Sequence, residues 1–302
     1  MINVKFFTYF NKCNFNCEYC IAADRDLHNQ WDANKFNKIV KRICATGFGD
    51  LLNIRIDGKG ELLLSKTIIN GIKKLSHADS VGAVNIVSGI PYSGEKIISL
   101  LDGCNEDKVK FVASVHPTQI KDMDEWIKRV CILKEKFDIV VACVCYPPII
   151  DDLFIIKEIV NANDIKFLAN GFIGWYEGRK FPEEYTQGEK ALIRGLFYSR
   201  HDFEFSVNLK RPGMCNAGHK LFYLNISGHA RKCGKSDRMI GNILEGDTIM
   251  LSDKPMQCQQ EFCVGNIMNM NTVSFCENYR MVNNNIRNYE YIGSGDEWTI
   301  NQ

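Results

Sequence analysis

Three cysteines fall within eight residues near the start of the chain: Cys13-Asn14-Phe15-Asn16-Cys17-Glu18-Tyr19-Cys20, spaced C-x3-C-x2-C. Thiolates this close together suit soft metal centres. Three of them do not close a site. Structural zinc takes four protein ligands, and an ordinary four-iron cluster takes four cysteines. A 4Fe-4S cluster on three cysteines keeps one iron open, and an open iron can bind and reductively cleave a small molecule. Two plainer readings stand beside this one. The cysteines could be core thiols, since free cysteine packs as a small hydrophobe, or part of a disulfide framework.

A second group lies far downstream. Cys215 and Cys233 are spaced C-x12-G-x4-C around Gly228; Gly241-Asn242-Ile243 follows, then Cys258-Gln259-Gln260-Glu261-Phe262-Cys263, then Cys276. Such spacing builds four-cysteine zinc sites as well as clusters, so both remain open on spacing alone. Cys44, Cys104, Cys131, Cys143 and Cys145 sit in apolar helix or strand contexts, where core packing is expected. Polar residues at the ends of apolar runs form a third group. Ser88 and Ser114 end two such runs, at positions where α/β folds collect ligands. His116, ahead of Pro117, is a substrate contact, a proton donor or a structural turn residue. Asn170 is a candidate of the same kind.

The elements that would carry these residues alternate. Strands are expected at 4–10, 51–57, 83–88, 109–115, 139–145 and 165–169. Helices are expected at 34–45, 66–77, 94–102, 122–137, 151–161 and 187–199. Six β-α units argue for a parallel sheet with helices outside, too few for a closed eight-fold barrel. In the second strand Leu52, Ile54 and Ile56 share one face, and Asn53, Arg55 and Asp57 the other. A strand covered on both sides should be apolar on both. The polar face therefore reads as a ligand-filled barrel interior, with Arg55 and Asp57 as substrate contacts, or as a solvated edge. After about residue 200 the punctuation changes, with a β-hairpin expected around Ser227-Gly228 and an Asn-rich tail after Gly265. The expected division is a core at 1–204 and a smaller module at 205–302. An aromatic and charged loop, 174–186, is either part of a substrate site or an interdomain connector.

Composition limits the function classes. The 302 residues are 45% hydrophobic and 24% charged with net charge +1, so no basic footprint points to DNA. No apolar run is long enough for a membrane helix, and the first ten residues do not read as a signal peptide. Thirteen cysteines, an odd number, in a chain without a secretion signal argue for metal ligation in a cytoplasmic protein over disulfides.

The cysteine loop, with Tyr19 before its third cysteine, resembles the signature of the radical SAM superfamily. The turn Asp57-Gly58-Lys59-Gly60-Glu61 resembles that family's Gly-Gly-Glu motif in its G-x-G-E form, with Leu62 where a proline is usual. The C-terminal cysteines look like its auxiliary-cluster modules, SPASM or the shorter twitch. The resemblance implies a partial (β/α)6 TIM-like barrel followed by a small α+β domain. It implies a 4Fe-4S cluster on Cys13, Cys17 and Cys20, with S-adenosylmethionine (SAM) on the open iron near Tyr19, Gly58, Gly60, Glu61, Ser88 and Ser114. It implies a second 4Fe-4S cluster on Cys215, Cys233, Cys258 and Cys263, which Cys276 could join in place of one of them, and a flavodoxin- or ferredoxin-type electron donor. The activity implied is reductive SAM cleavage to a 5′-deoxyadenosyl radical that takes a hydrogen atom from a sugar- or cyclitol-like small molecule, giving oxidation or epimerisation. A peptide-modifying maturase is the alternative, and a non-catalytic iron–sulfur or zinc protein a remote one.

Overall fold

The structure, a computed structural model, describes residues 1–20, 30–210, 213–246, 248–261, 263 and 272–293. Much of the Asn-rich stretch after Gly265 lies outside the described residues. The first two-thirds alternate as expected: β1 (Ile2–Phe7), α1 (Ala33–Ala45), β2 (Leu52–Asp57), α2 (Lys66–His77), β3 (Val81–Ser88), α3 (Gly94–Leu100), β4 (Val109–Ser114), α4 (Met123–Lys134), β5 (Asp138–Cys145), α5 (Ile150–Ala162) and β6 (Lys166–Gly171). A short hairpin, β7 (Gly174–Tyr176) and β8 (Arg179–Phe181), leads to α6 (Gln187–Arg194) and α7 (Arg200–Ser206). Beyond them come β9 (Met214–Cys215), β10 (Leu221–Asn225), β11 (His229–Arg231), β12 (Met239–Asn242), β13 (Met256–Gln257), α8 (Val273–Asn278), β14 (Tyr279–Met281) and β15 (Tyr289–Tyr291).

Local chemistry explains most of the boundaries. Asp32 caps α1 by accepting from the Asn34 and Lys35 amides, and the helix buries Phe36, Ile39, Val40 and Ile43 along one stripe. Strand β1 stops at Phe7, short of the expected 10, because Tyr9 takes a left-handed conformation (φ 57°). The single helix expected over 187–199 is two. Gly195 follows α6, and the Ser199 hydroxyl accepts from the Asp202 amide to start α7. Cys44, expected in the core, is exposed on the last turn of α1; Cys143 and Cys145 are buried as expected.

The main sheet has nine strands in the order β12-β11-β10-β1-β2-β3-β4-β5-β6. Strands β1 to β6 are parallel neighbours in sequence order and form the partial barrel. The expected hairpin is present, with Gly228 in the left-handed region (φ 82°) at its turn. Its first strand pairs in parallel with β1, from Asn3↔Leu221 to Phe7↔Asn225, so one sheet takes strands from both sides of the expected 204/205 boundary, which itself falls within α7.

Alternation along the strands separates two faces. The outer face, including Val4, Phe6, Ile54, Ile56, Val84, Ile86, Phe111 and Val141, packs on the helices in one core cluster. Each such side chain, fully buried, is worth about 1.5–3 kcal/mol. The inner face is divided. Strands β1 to β3 bring buried Asn3, Lys5, Asn53, Arg55, Asp57 and Asn85, while Val112, Val140, Ala142 and Leu168 make an apolar patch opposite. Strand β2 lies between β1 and β3 and is buried throughout, so its polar face is the barrel interior and not a solvated edge. The turn between β14 and β15 closes the end where the strands begin. Asn285 donates to the Phe111 carbonyl and Asp138, and Ile286 N–H donates to Asn85 Oδ1; from there Arg287 extends toward the other end of β6 and donates to Asn170 Oδ1 at 3.0 Å. Among the described residues no helix is long and apolar enough to cross a membrane.

Candidate active site

The cysteine loop leaves the end of β1 and lies across the opposite mouth of the barrel. Two backbone bonds hold it to the turn after β2: Gly60 N–H to Phe10 O (2.7 Å) and Glu61 N–H to Lys12 O (2.8 Å). A Cβ on Gly60 would stand 2.1 Å from Lys12 O, so only glycine permits this approach. The loop also rests on the end of β3, where Gly89 lies under the Phe15 ring and a Cβ would meet Cε2 at 2.3 Å. On a third side the turn after β4 grips it. Asn16 N–H donates to Gln119 Oε1 (2.9 Å), and His116 Nδ1 stands 3.5 Å from Cys17 Sγ and 3.3 Å from the Tyr19 hydroxyl.

Within the loop Cys13 and Cys20 are exposed and Cys17 is half-buried. Burial, with Cys20 and Cys13 nearby, pushes the Cys17 thiol up to about 12; burial also raises Cys13. Burial thus favours the protonated thiols at Cys13 and Cys17, and a bound metal reverses that by deprotonating its thiol ligands outright. The donor set fits a cluster with an open position: three soft ligands on one loop, two of them facing outward. No group of three or more His, Cys, Asp or Glu side chains among the described residues closes on a single metal ion. The thiolates of a four-iron cluster each bind a different iron and stand further apart.

Glu61 is buried and heavily bonded. Its carboxylate accepts from Ser88 Oγ (2.9 Å), Gly89 N–H (2.7 Å) and Leu63 N–H (3.0 Å). Burial raises its pKa in spite of these donors. Ser88 points at Glu61 and also accepts from Ile90 N–H, so it braces the turn. Ser114 ends β4 on the inner face, half-buried. Tyr19 is buried, with its ring 5.0 Å from that of Tyr146. Tyr146 in turn meets Tyr176 of β7 at 5.2 Å and bonds Glu18. The 174–186 loop thus builds the rim beside the cysteines. Burial lowers the His116 pKa to about 4, so its imidazole is neutral.

Below the loop, Asp57 takes Arg55 Nε on one oxygen (3.1 Å) and Lys5 Nζ near the other (3.4 Å). Burial works to raise its pKa, but the two cations outweigh it and hold the carboxyl below the usual range. Lys5 also lies over the rings of Phe7 and Tyr223, 4.6 and 5.6 Å from their centroids. Tyr223 leads to the second thiol set: it shares a buried cluster with Cys215, against which Cys233 and Cys258 pack. Cys215 is pushed up to about 11 by burial and then by Cys258, Cys263 and Cys233. Cys215, Cys233 and Cys258 thus gather beside Tyr223 of β10, with Cys263 near enough to act on the Cys215 thiol. Cys276 accepts from Asn216 and packs with Phe275, Tyr279 and Tyr289. Asn170, the next-to-last residue of β6, donates to the Cys143 carbonyl and accepts from Arg287. Lys5, Gln119, Tyr146 and Arg287 escaped the sequence reading. Lys5 had a signal, a lysine alternating with asparagine inside an apolar strand.

No protein-family model matches the chain, and no curated protein sequence matches it. Solved structures do. The fold is shared with anSMEcpe, a radical SAM anaerobic sulfatase maturase, with bound AdoMet (TM-score 0.56, 15% identity, 82% of this chain and 79% of that one). The same protein with AdoMet and Kp18Cys peptide gives TM-score 0.56 at 15% identity over 82% and 79%, and with Cp18Cys peptide 0.55 at 14% over 90% and 83%. The chain therefore has the partial-barrel fold of radical SAM enzymes.

Proposed function

We propose that this chain is a radical SAM enzyme. The observation that carries the proposal is the placement of the C-x3-C-x2-C loop at the barrel mouth, bonded through its backbone to the Gly58–Glu61 turn. A 4Fe-4S cluster on Cys13, Cys17 and Cys20 with SAM on its open iron would supply one-electron cleavage of SAM to a 5′-deoxyadenosyl radical. The chain's own residues do the rest. Glu61 accepts three bonds of about four that a carboxylate can take, leaving room for the ammonium of SAM. Gly58 and Gly60 keep the turn close, Ser88 orients Glu61, Ser114 offers a hydroxyl at the mouth, and Tyr19 backs the loop. The apolar patch on β4 to β6 excludes water from the reacting centre.

Residues 205–302 form the auxiliary module in this reading, with one 4Fe-4S cluster on Cys215, Cys233, Cys258 and Cys263 and its first strand joined to the core sheet. The polar wall of Lys5, Arg55 and Asp57, between the two thiol sets, favours a small polar substrate such as a sugar or cyclitol, oxidised or epimerised, with Asn170 as a weaker contact. A peptide substrate is the second reading, favoured by the peptide complexes of the solved neighbour. The oxygen-sensitive centres suit the cytoplasm and a flavodoxin- or ferredoxin-type donor.

The test is anaerobic reconstitution followed by iron and sulfide analysis and a 5′-deoxyadenosine assay. About eight iron and eight sulfide per chain are expected, with 5′-deoxyadenosine formed under dithionite. About four iron plus one zinc would overturn the second cluster, and absence of 5′-deoxyadenosine the enzyme. A panel of cyclitols against cysteine- and serine-containing peptides separates the substrate readings by which one raises 5′-deoxyadenosine above background.

A further inference from the structure

We infer that His116 is a positioning residue for the cluster ligand Cys17: it donates a hydrogen bond from Nδ1 to the Cys17 thiolate and thereby raises the reduction potential of the N-terminal cluster. The inference rests on the cluster assignment above. Its geometry is local and well braced. His116 Nδ1 lies 3.5 Å from Cys17 Sγ. The ring is held against Phe15 (5.1 Å) and Tyr19 (6.1 Å). The backbone is fixed by the turn, where the His116 carbonyl accepts from Gln119 N–H (2.9 Å) and Ile120 N–H (3.0 Å). The Gln119 side chain then holds the loop itself through Asn16 N–H.

The direction of the bond follows from ligation. A metal-bound cysteine carries no proton and can only accept. Nδ1 is shared with the Tyr19 hydroxyl at 3.3 Å, which can itself donate to the sulfur. With a thiolate at Cys17 both neighbours turn their protons toward it, because a bond to an ionised acceptor is about twice as strong as a neutral one. Cys17 is the least exposed of the three cysteines, and a hydrogen bond counts for more away from water. Reduction adds one electron to the cluster from the external donor and makes its sulfurs more basic. The proton stays on Nδ1, and the bond strengthens. Hydrogen bonds to cluster sulfurs are among the determinants of potential. This gives His116 a role at the cluster in place of a role at the substrate.

Two measurements test it. Protein labelled with 15N-histidine, reconstituted and reduced with dithionite without SAM, should show a weak 15N coupling to the reduced N-terminal cluster by pulsed EPR. The coupling should vanish in His116→Phe. Redox titration should place the His116→Phe midpoint lower, by about 59 mV for a tenfold change in a one-electron couple. His116→Asn, which keeps an amide donor near the Nδ1 position, should recover most of the shift. The auxiliary cluster should keep its midpoint throughout. Absence of the coupling in labelled wild-type protein, or equal midpoints in loaded wild type and His116→Phe, overturns the inference. If His116→Phe does not load, the labelled wild type decides alone. Failure of the cluster assignment looks different: Cys17→Ala would then hold as much iron as wild type.

Discussion

At the scale of single residues the site depends on contacts with no slack. Gly60→Ala would drive a Cβ into Lys12 O. It should cost about 1–3 kcal/mol, the usual range for overpacking, and lower the iron content by loosening the cysteine loop; denaturant melting and iron analysis check both. Cys17→Ala should abolish SAM cleavage and halve the iron, leaving the C-terminal centre, as 5′-deoxyadenosine and metal assays would show. Glu61→Gln would turn an amide NH2 toward groups that already donate. Leaving one buried donor unmatched should cost about 1–3 kcal/mol, measured by the same melts. The cysteines and the Gly58–Glu61 turn were legible in the sequence because their chemistry resides in residue type and spacing. The roles of Ser88 and His116 were not. Both lie where a ligand contact was expected, but Ser88 is turned to Glu61 and His116 to Cys17, and only the folded loop decides such directions.

At the scale of elements, the alternation of apolar runs and amphipathic stripes was enough to find β1 to β6 and α1 to α5, since each pattern follows from burial on one or two faces. The alternation of Asn53, Arg55 and Asp57 correctly marked a lumen. The place of β10 was hidden. Leu221–Asn225 reads as half of a local hairpin, and nothing in its residues says that its other edge pairs with a strand some two hundred positions earlier. That pairing makes β1 an interior strand. A fragment ending at residue 204 should therefore expose the β1 edge with its unpaired backbone groups. It should elute as aggregate on size exclusion, where the full chain does not; a monodisperse, folded fragment would contradict the shared sheet.

At the scale of the whole molecule, buried charge couples the C-terminal turn to the barrel. Asp202 on α7 is buried, and burial lifts its pKa to about 6 against the pull of Arg287 and Lys166. The folded state thus holds a proton that the unfolded chain, at about 3.9, gives up. Stability should fall as pH rises from about 4 to 6, by about 3 kcal/mol from this group, and Asp202→Asn should flatten that slope in denaturant titrations across the range. The same C-terminal turn has a consequence for how the molecule is made. The Ile286–Asn85 bond spans 201 residues and the Asn53–Met281 contact 228. Contacts this distant along the chain form late and slowly. On the ribosome the last parallel strand ends at Gly171, well before the turn between Met281 and Tyr289 is synthesised, so over that interval the nascent barrel is open at the end opposite the cysteines. Any cofactor loaded during that interval enters a vessel that has not yet been sealed.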